Sequence, residues 1–235
     1  MAARTETQPS PWQSLGVFLQ AYVKSMRFYY AFVTGIAGWI GVAYARFLHP
    51  ETASLPLAAL TLGILFLSWG INQIINDYLG LAEDRINAPH RPMVTGDLQP
   101  RAALTLSFSL LALAAVVTWR MAPWALIPLF AGIVLNVLYE YAKGVPVLGN
   151  VVFGLMISAC TAYGFLATNN GYPVVFTPGR VSVLGLVAIM NGLMTYYTYF
   201  KDYAGDKAAG KITAVVLLGI QRARTTAIVT SFLPS

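Results

Sequence analysis

Acidic side chains are scarce in this chain: Asp and Glu number 9 against 15 Lys and Arg in 235 residues. Charged residues of both signs make up 10% and hydrophobic residues 57%, whereas soluble domains carry about 25% charged residues. That shortage excludes a solvated globular domain. Cysteine is almost absent too. Cys160 stands alone in an apolar stretch, which rules out an internal disulfide, fits a small core residue and says nothing of redox compartment. The two histidines, His49 and His90, sit in loops with no partner at ligand spacing, so they read as solvated. Residues 1–26 contain Arg4, Glu6, two prolines and Lys24 but no compact apolar region before a cleavage site, so no cleavable signal peptide is expected.

What is present is apolar length. Stretches free of Asp, Glu, Lys and Arg run over 52–76, 102–119, 121–139, 144–179 and 181–200, and a spanning helix needs about 20 mostly apolar residues. With a first span near Phe28–Tyr44, six spans are expected, residues 144–179 holding one helix and an exit loop over 168–180. A seventh stretch from Ile212 is interrupted by Arg222 and Arg224. Residues 1–13 read as a mobile tail and 14–235 as one transmembrane helical domain, with Leu15, Phe18, Leu19, Tyr22 and Met26 at helical spacing. Pro89, Pro92 and Gly96 predict a helix-free loop over 87–97. The net charge of +6 does not point to nucleic acid, because its distribution follows topology. Arg4, Lys24, Arg27, Arg85, Arg91, Arg101, Lys143, Lys201, Lys207 and Lys211 fall on one side, and only Arg46, Arg120 and Arg180 on the other. The positive-inside rule then puts the N-terminus in the cytoplasm.

Five of the nine acidic residues lie in two short stretches at the cytoplasmic ends of spans. The first is Asn72-Gln-Ile-Ile-Asn76-Asp77-Tyr-Leu-Gly80-Leu-Ala-Glu83-Asp84-Arg85; the second is Tyr197-Thr-Tyr-Phe-Lys201-Asp202-Tyr-Ala-Gly-Asp206-Lys207. Carboxylates near a bilayer are costly. Asp202 and Asp206 share a helix face, and so do Asn72, Asn76, Gly80 and Asp84. Asp77 lies about 100° around from Asn76, and Glu83 is the loosest member. Two facing oxygen clusters suit Mg2+ shared with a diphosphate, and Arg91 and Lys201 supply counter-charge. Solvated helix ends and positive-inside topology would produce part of this pattern on their own. A small-molecule transporter or ion channel is the competing class, but it calls for acidic groups in mid-membrane rather than at helix ends.

The run from Asn76-Asp77 through Gly80, Asp84, Asn87, Arg91-Pro92 and Thr95-Gly96 resembles the first signature of the UbiA superfamily of membrane prenyltransferases. Tyr197-x-x-x-Lys201-Asp202-x-x-Gly-Asp206-Lys-x-x-Gly210-Lys-x-Thr213 resembles the second, and Tyr139…Lys143…Pro146…Gly149-Asn150 resembles the family's central loop. The likeness covers residues 15–220. It implies an all-α, polytopic helical bundle of six to seven spans with a membrane-open cavity, in which an isoprenyl diphosphate binds head-first with Mg2+ between the acidic motifs. Asn76, Asp77, Asp84, Asp202 and Asp206 are then the expected metal ligands. Asn72, Arg91, Lys201 and Lys24 would bind the diphosphate. Tyr197, Lys201, Asp202 and Asp206 would act in catalysis, Tyr197 beside the leaving group or the cation.

The chain departs from the family pattern in two ways. Gly80 stands where the middle Asp is usual, and the family usually carries more spans, so C-terminal spans are expected to be lacking. Gly80 matches a branch resembling UbiA-type terpene cyclases, so the expected reaction is ionisation of the diphosphate followed by intramolecular cyclisation. Tyr29, Tyr30, Phe32, Trp39, Trp69, Tyr163, Tyr196, Tyr197 and Tyr199 are candidate cation guides, although lipid-facing packing explains most such rings. The alternatives are transfer of the prenyl chain to an aromatic or other acceptor, and a truncated inactive member of the family. Prenyl length is not readable.

Overall fold

A computed structural model describes residues 11–50, 54–168 and 177–232. Its helices are α1 (Pro11–Met26), α2 (Phe32–Leu48), α3 (Leu55–Leu79), α4 (Leu81–Asn87), α5 (Pro92–Thr95), α6 (Pro100–Met121), α7 (Leu126–Ala142), α8 (Leu148–Ala167), α9 (Pro178–Ala208) and α10 (Ala214–Thr230). No strand occurs among the described residues. Helix starts follow local chemistry. Prolines open α3, α6 and α9 at positions whose N–H has no intrahelical partner. Ser54, Thr177 and Thr213 accept the N–H of Leu57, Arg180 and Val216 at 3.3–3.4 Å.

Five helical segments are long and apolar enough to cross a membrane: Leu55–Leu79, Pro100–Met121, Pro123–Ala142, Leu148–Ala167 and Pro178–Ala208. A sixth exists if the segments Ser14–Tyr30 and Phe32–Leu48, bent by 55°, count as one span. The bend displaces the expected first span: Arg27 takes a left-handed backbone (φ 48°), a 3-10 turn follows, and the straight helix begins only at Phe32. Helix α1 starts at Pro11, inside the expected tail, whose residues 1–10 lie outside the described residues, as does most of the expected exit loop. The 87–97 segment is not helix-free. Pro92 initiates α5 and Gly96 terminates it at φ 88°, since proline at a first helical position favours the helix. Helix α10 has non-helical backbone at Gly219 (φ 71°) and is not among the candidate spans.

Helix α8 is the hub. Small residues let backbones meet without bulky side chains, the mode membranes favour. A Cβ on Gly41 would strike the Thr161 backbone, and one on Gly154 the Ala188 backbone. Hydroxyls complete the seams: Thr161 donates to the Ala37 carbonyl at 2.8 Å, Ser158 to that of Leu184 at 2.9 Å, and Thr34 to that of Leu65 at 3.0 Å. These contacts lock α2, α9 and α3 around the hub, and so fix where the polar ends of α3 and α9 emerge.

Candidate active site

The C-terminal ends of α3 and α9 emerge at the same end of the bundle. Their approach depends on Gly205, whose missing Cβ makes room for the Asn87 side chain at the end of α4. The first motif is not one uninterrupted helix, because Gly80 separates α3 from α4. The i to i+4 ladder nevertheless continues across it: the Gly80 N–H donates to the Asn76 carbonyl at 2.8 Å, and that of Asp84 to the Gly80 carbonyl at 3.0 Å. Asn76, Gly80 and Asp84 therefore keep a common face.

That face borders a cavity of about 300 Å³. Asn76, Asp77, Asp84, Arg91, Lys201 and Asp202, all named from the sequence, line it together with Arg27, Gln73, Glu83, Glu140 and Lys143. Tyr30, Phe32, Val33, Trp69, Phe153 and Met194 form its apolar part. Charges interleave along the wall. Asp77, 1% exposed, is ion-paired to Arg27 and lies 3.1 Å from Arg91 Nη1, which also pairs with Asp84. Arg27 donates to Gln73 Oε1 at 2.6 Å as well. Lys143 Nζ stands 3.1 Å from the fully buried Asp206. Lys211 Nζ joins Glu83 Oε1 (2.9 Å) to Glu140 Oε1 (2.6 Å).

Burial raises the Asp84 pKa, with Arg91 opposing it. Burial works against the charge of Arg91, yet Asp77 and Asp84 hold its pKa above the ordinary value. Lys211 behaves in the same way, burial being outweighed by Glu140 and Glu83.

Four of the residues named from the sequence do not line this cavity. Tyr197 is 40% exposed and turns towards α10, donating to the Ala227 carbonyl at 3.2 Å; no part of it lines the cavity. Lys24 is exposed on α1, while Arg27, beyond the end of that helix, enters the cavity because the chain bends there. Asn72 lies one turn deeper than the cavity, in a narrow crevice of about 40 Å³ that shares Trp69, Gln73, Asn76 and Phe153 with it. Asp206 sits behind the wall rather than on it, against Lys143. Of the aromatic candidates, Tyr30, Phe32 and Trp69 line the cavity and Tyr163 the crevice. Sequence reasoning gave no role to Arg27, Gln73, Glu140 or Lys143. Only Lys143 carried a signal, its place in the central-loop resemblance.

The donor set fits Mg2+. Asn76 Oδ1 and Asp77 Oδ2 are buried with no hydrogen-bond partner, and every candidate ligand is an oxygen. Among the described residues no three His, Cys, Asp or Glu side chains form a ready-made cage. Mg2+ characteristically needs none, since it binds one or two carboxylates and completes its octahedron with water and substrate phosphate.

A model of the UbiA prenyltransferase family matches residues 31–235. The digeranylgeranylglyceryl phosphate synthase of Thermococcus kodakarensis is 29% identical over 227 residues, covering 92% of this chain and 77% of the relative. That of Pyrococcus abyssi is 26% identical over 228 residues, covering 92% and 78%. Among solved structures, a UbiA homolog from Archaeoglobus fulgidus bound to DMAPP and Mg2+ superposes with a TM-score of 0.71 at 19% identity, covering 92% of this chain and 74% of that one. A digeranylgeranylglyceryl phosphate synthase structure gives 0.67 at 22%, covering 92% and 77%.

Proposed function

Since the chain belongs to the UbiA prenyltransferase family and is an integral multi-pass membrane protein, we propose that it transfers a long prenyl group from its diphosphate to the hydroxyl of a lipid acceptor in an Mg2+-dependent reaction. The observation that carries this reading is the convergence of both acidic motifs and four cationic side chains (Arg27, Arg91, Lys143 and Lys201) on one cavity with an apolar side. The acceptor class follows the names of the relatives: a geranylgeranylglyceryl phosphate hydroxyl attacks geranylgeranyl diphosphate to give the diether.

Asn76, Asp77, Asp84 and Asp202 would hold Mg2+, which when bound would supply stabilisation of the charge on the departing diphosphate. Arg27, Arg91, Lys143 and Lys201 bind phosphate oxygens. The allylic C1–O bond breaks with its electron pair going to the diphosphate. Trp69, Phe153, Tyr30 and Phe32 exclude water from the allylic cation and face it with π-electrons. The acceptor oxygen bonds to C1, and its proton leaves with the diphosphate. Positive-inside topology supports a cytoplasmic position for the cavity.

Cyclisation, the expectation drawn from Gly80, has weaker support than transfer. The relatives are named as synthases of a diether, and Gly80 has a local reason to be glycine. A Cβ there would lie 3.1 Å from the Asn76 carbonyl oxygen, 3.4 Å from Glu83 Oε2 and 3.5 Å from Glu140 Oε1. Membranes bearing the protein, given labelled geranylgeranyl diphosphate and Mg2+, should form no product until geranylgeranylglyceryl phosphate is added. A cyclic hydrocarbon or alcohol without acceptor would refute the proposal. No turnover with both substrates present would favour an inactive binding protein.

A further inference from the structure

The crevice beneath the cavity is an unusual place for amides. One face of α7 runs from Leu129, Gly132 and Ile133 through Asn136 to Tyr139 and Lys143, so the same helix lines crevice and cavity in turn. Asn136 lies six residues before the end of α7 at Ala142 and is 1% exposed. Both atoms of its carboxamide are buried, and neither has a hydrogen-bond partner. Asn72 lines the crevice with it. A buried amide left unpaired costs about 1–3 kcal/mol. Leucine would fill the position without that cost, so the amide needs a ligand with a hydroxyl or carbonyl. The crevice volume, about 40 Å³, is too small for a prenyl chain but admits one polar oxygen.

Resting on the transferase reading, we infer that Asn136, assisted by Asn72, is the subsite that takes the acceptor's hydroxyl. The Asn136 amide N–H donates to the hydroxyl oxygen. This holds the oxygen on the membrane side of C1, with its second lone pair free for attack and its O–H free to pass the proton to the diphosphate. Asn136 is thus a binding residue specific to the acceptor; the proton itself leaves with the diphosphate.

The test uses the full chain in proteoliposomes, with geranylgeranyl diphosphate as donor and geranylgeranylglyceryl phosphate as the acceptor probe. For Asn136→Leu the acceptor KM should rise roughly tenfold, the loss of one good hydrogen bond, while the donor KM stays within about twofold of wild type. A deoxy acceptor analogue lacking the hydroxyl should inhibit wild type and Asn136→Leu equally. An unchanged acceptor KM, or equal rises for donor and acceptor, would overturn the inference and leave the transferase reading intact. Wild type that forms no ether would overturn both. If Asn136→Leu does not fold, Gly132→Val reports instead. A Cβ at Gly132 meets nothing within 4 Å, so the added side chain occupies the crevice one turn away. It should raise the acceptor KM selectively, and a selective rise in donor KM would overturn the inference.

Discussion

Lys211 is the most exacting test of the electrostatics at the cavity rim. Its backbone N–H donates to the Asp206 carbonyl at 2.8 Å, and its ammonium bridges Glu83 and Glu140 with a side chain 15% exposed. The two glutamate oxygens lie 2.9 and 2.6 Å from one nitrogen, so they are at most about 5.5 Å apart. Lys211→Met leaves two like charges at that distance, a repulsion of about 3 kcal/mol at an effective dielectric constant of 20. The loss should exceed the 0.2–1 kcal/mol typical of an exposed pair. For a chain of this size it should lower the unfolding temperature by roughly 6–12 °C.

The pH dependence has a definite sign. Glu140 and Glu83 raise the Lys211 pKa in the folded protein, so the stability its bridges contribute is fully present below the unfolded value of about 10.4 and is lost as pH rises through the folded one. The advantage of wild type over Lys211→Met should therefore hold through neutral pH and shrink only above that range. Thermal unfolding in nanodiscs measures it. Adding Glu140→Gln to Lys211→Met should recover most of the deficit. If the single and double variants unfold together, charge repulsion is not what Lys211 suppresses.

Gly205→Val forces a side chain into Asn87 and should cost about 1–3 kcal/mol. It should reduce diphosphate release at least tenfold with helical content unchanged by circular dichroism; full activity would mean that motif convergence is unimportant. Tyr197→Phe removes only the bond to the Ala227 carbonyl, so kcat should stay within about twofold of wild type, and a loss beyond tenfold would restore the residue to the catalytic machinery. Gly80→Asp places a third carboxylate beside Glu83 and Glu140 and should lower ether formation; a gain would identify Gly80 as a damaged metal position.

The sequence alone determined the solvent of this protein and the currency of its site. Long stretches without charge have to be helical in a bilayer, where each backbone polar group needs an internal partner. The few carboxylates left stood out at two helix ends. Their spacing was legible as well, because an i to i+4 relation survives the break at Gly80 through the Asn76–Gly80–Asp84 hydrogen-bond ladder. What only the tertiary structure decided is which neighbours point inward. Tyr197 and Tyr199 are two residues apart on α9, yet Tyr197 is 40% and Tyr199 1% exposed, because the helix turns one towards α10 and the other into the core. Lys24 and Arg27 differ by less than one turn, but the bend after Met26 sends only Arg27 to Asp77. Glu140, Lys143 and Asn136 join the site through the face that α7 presents, which local sequence does not specify. Inward direction depends on helix rotation and bending, and those are set by glycine and hydroxyl contacts between residues far apart in the chain.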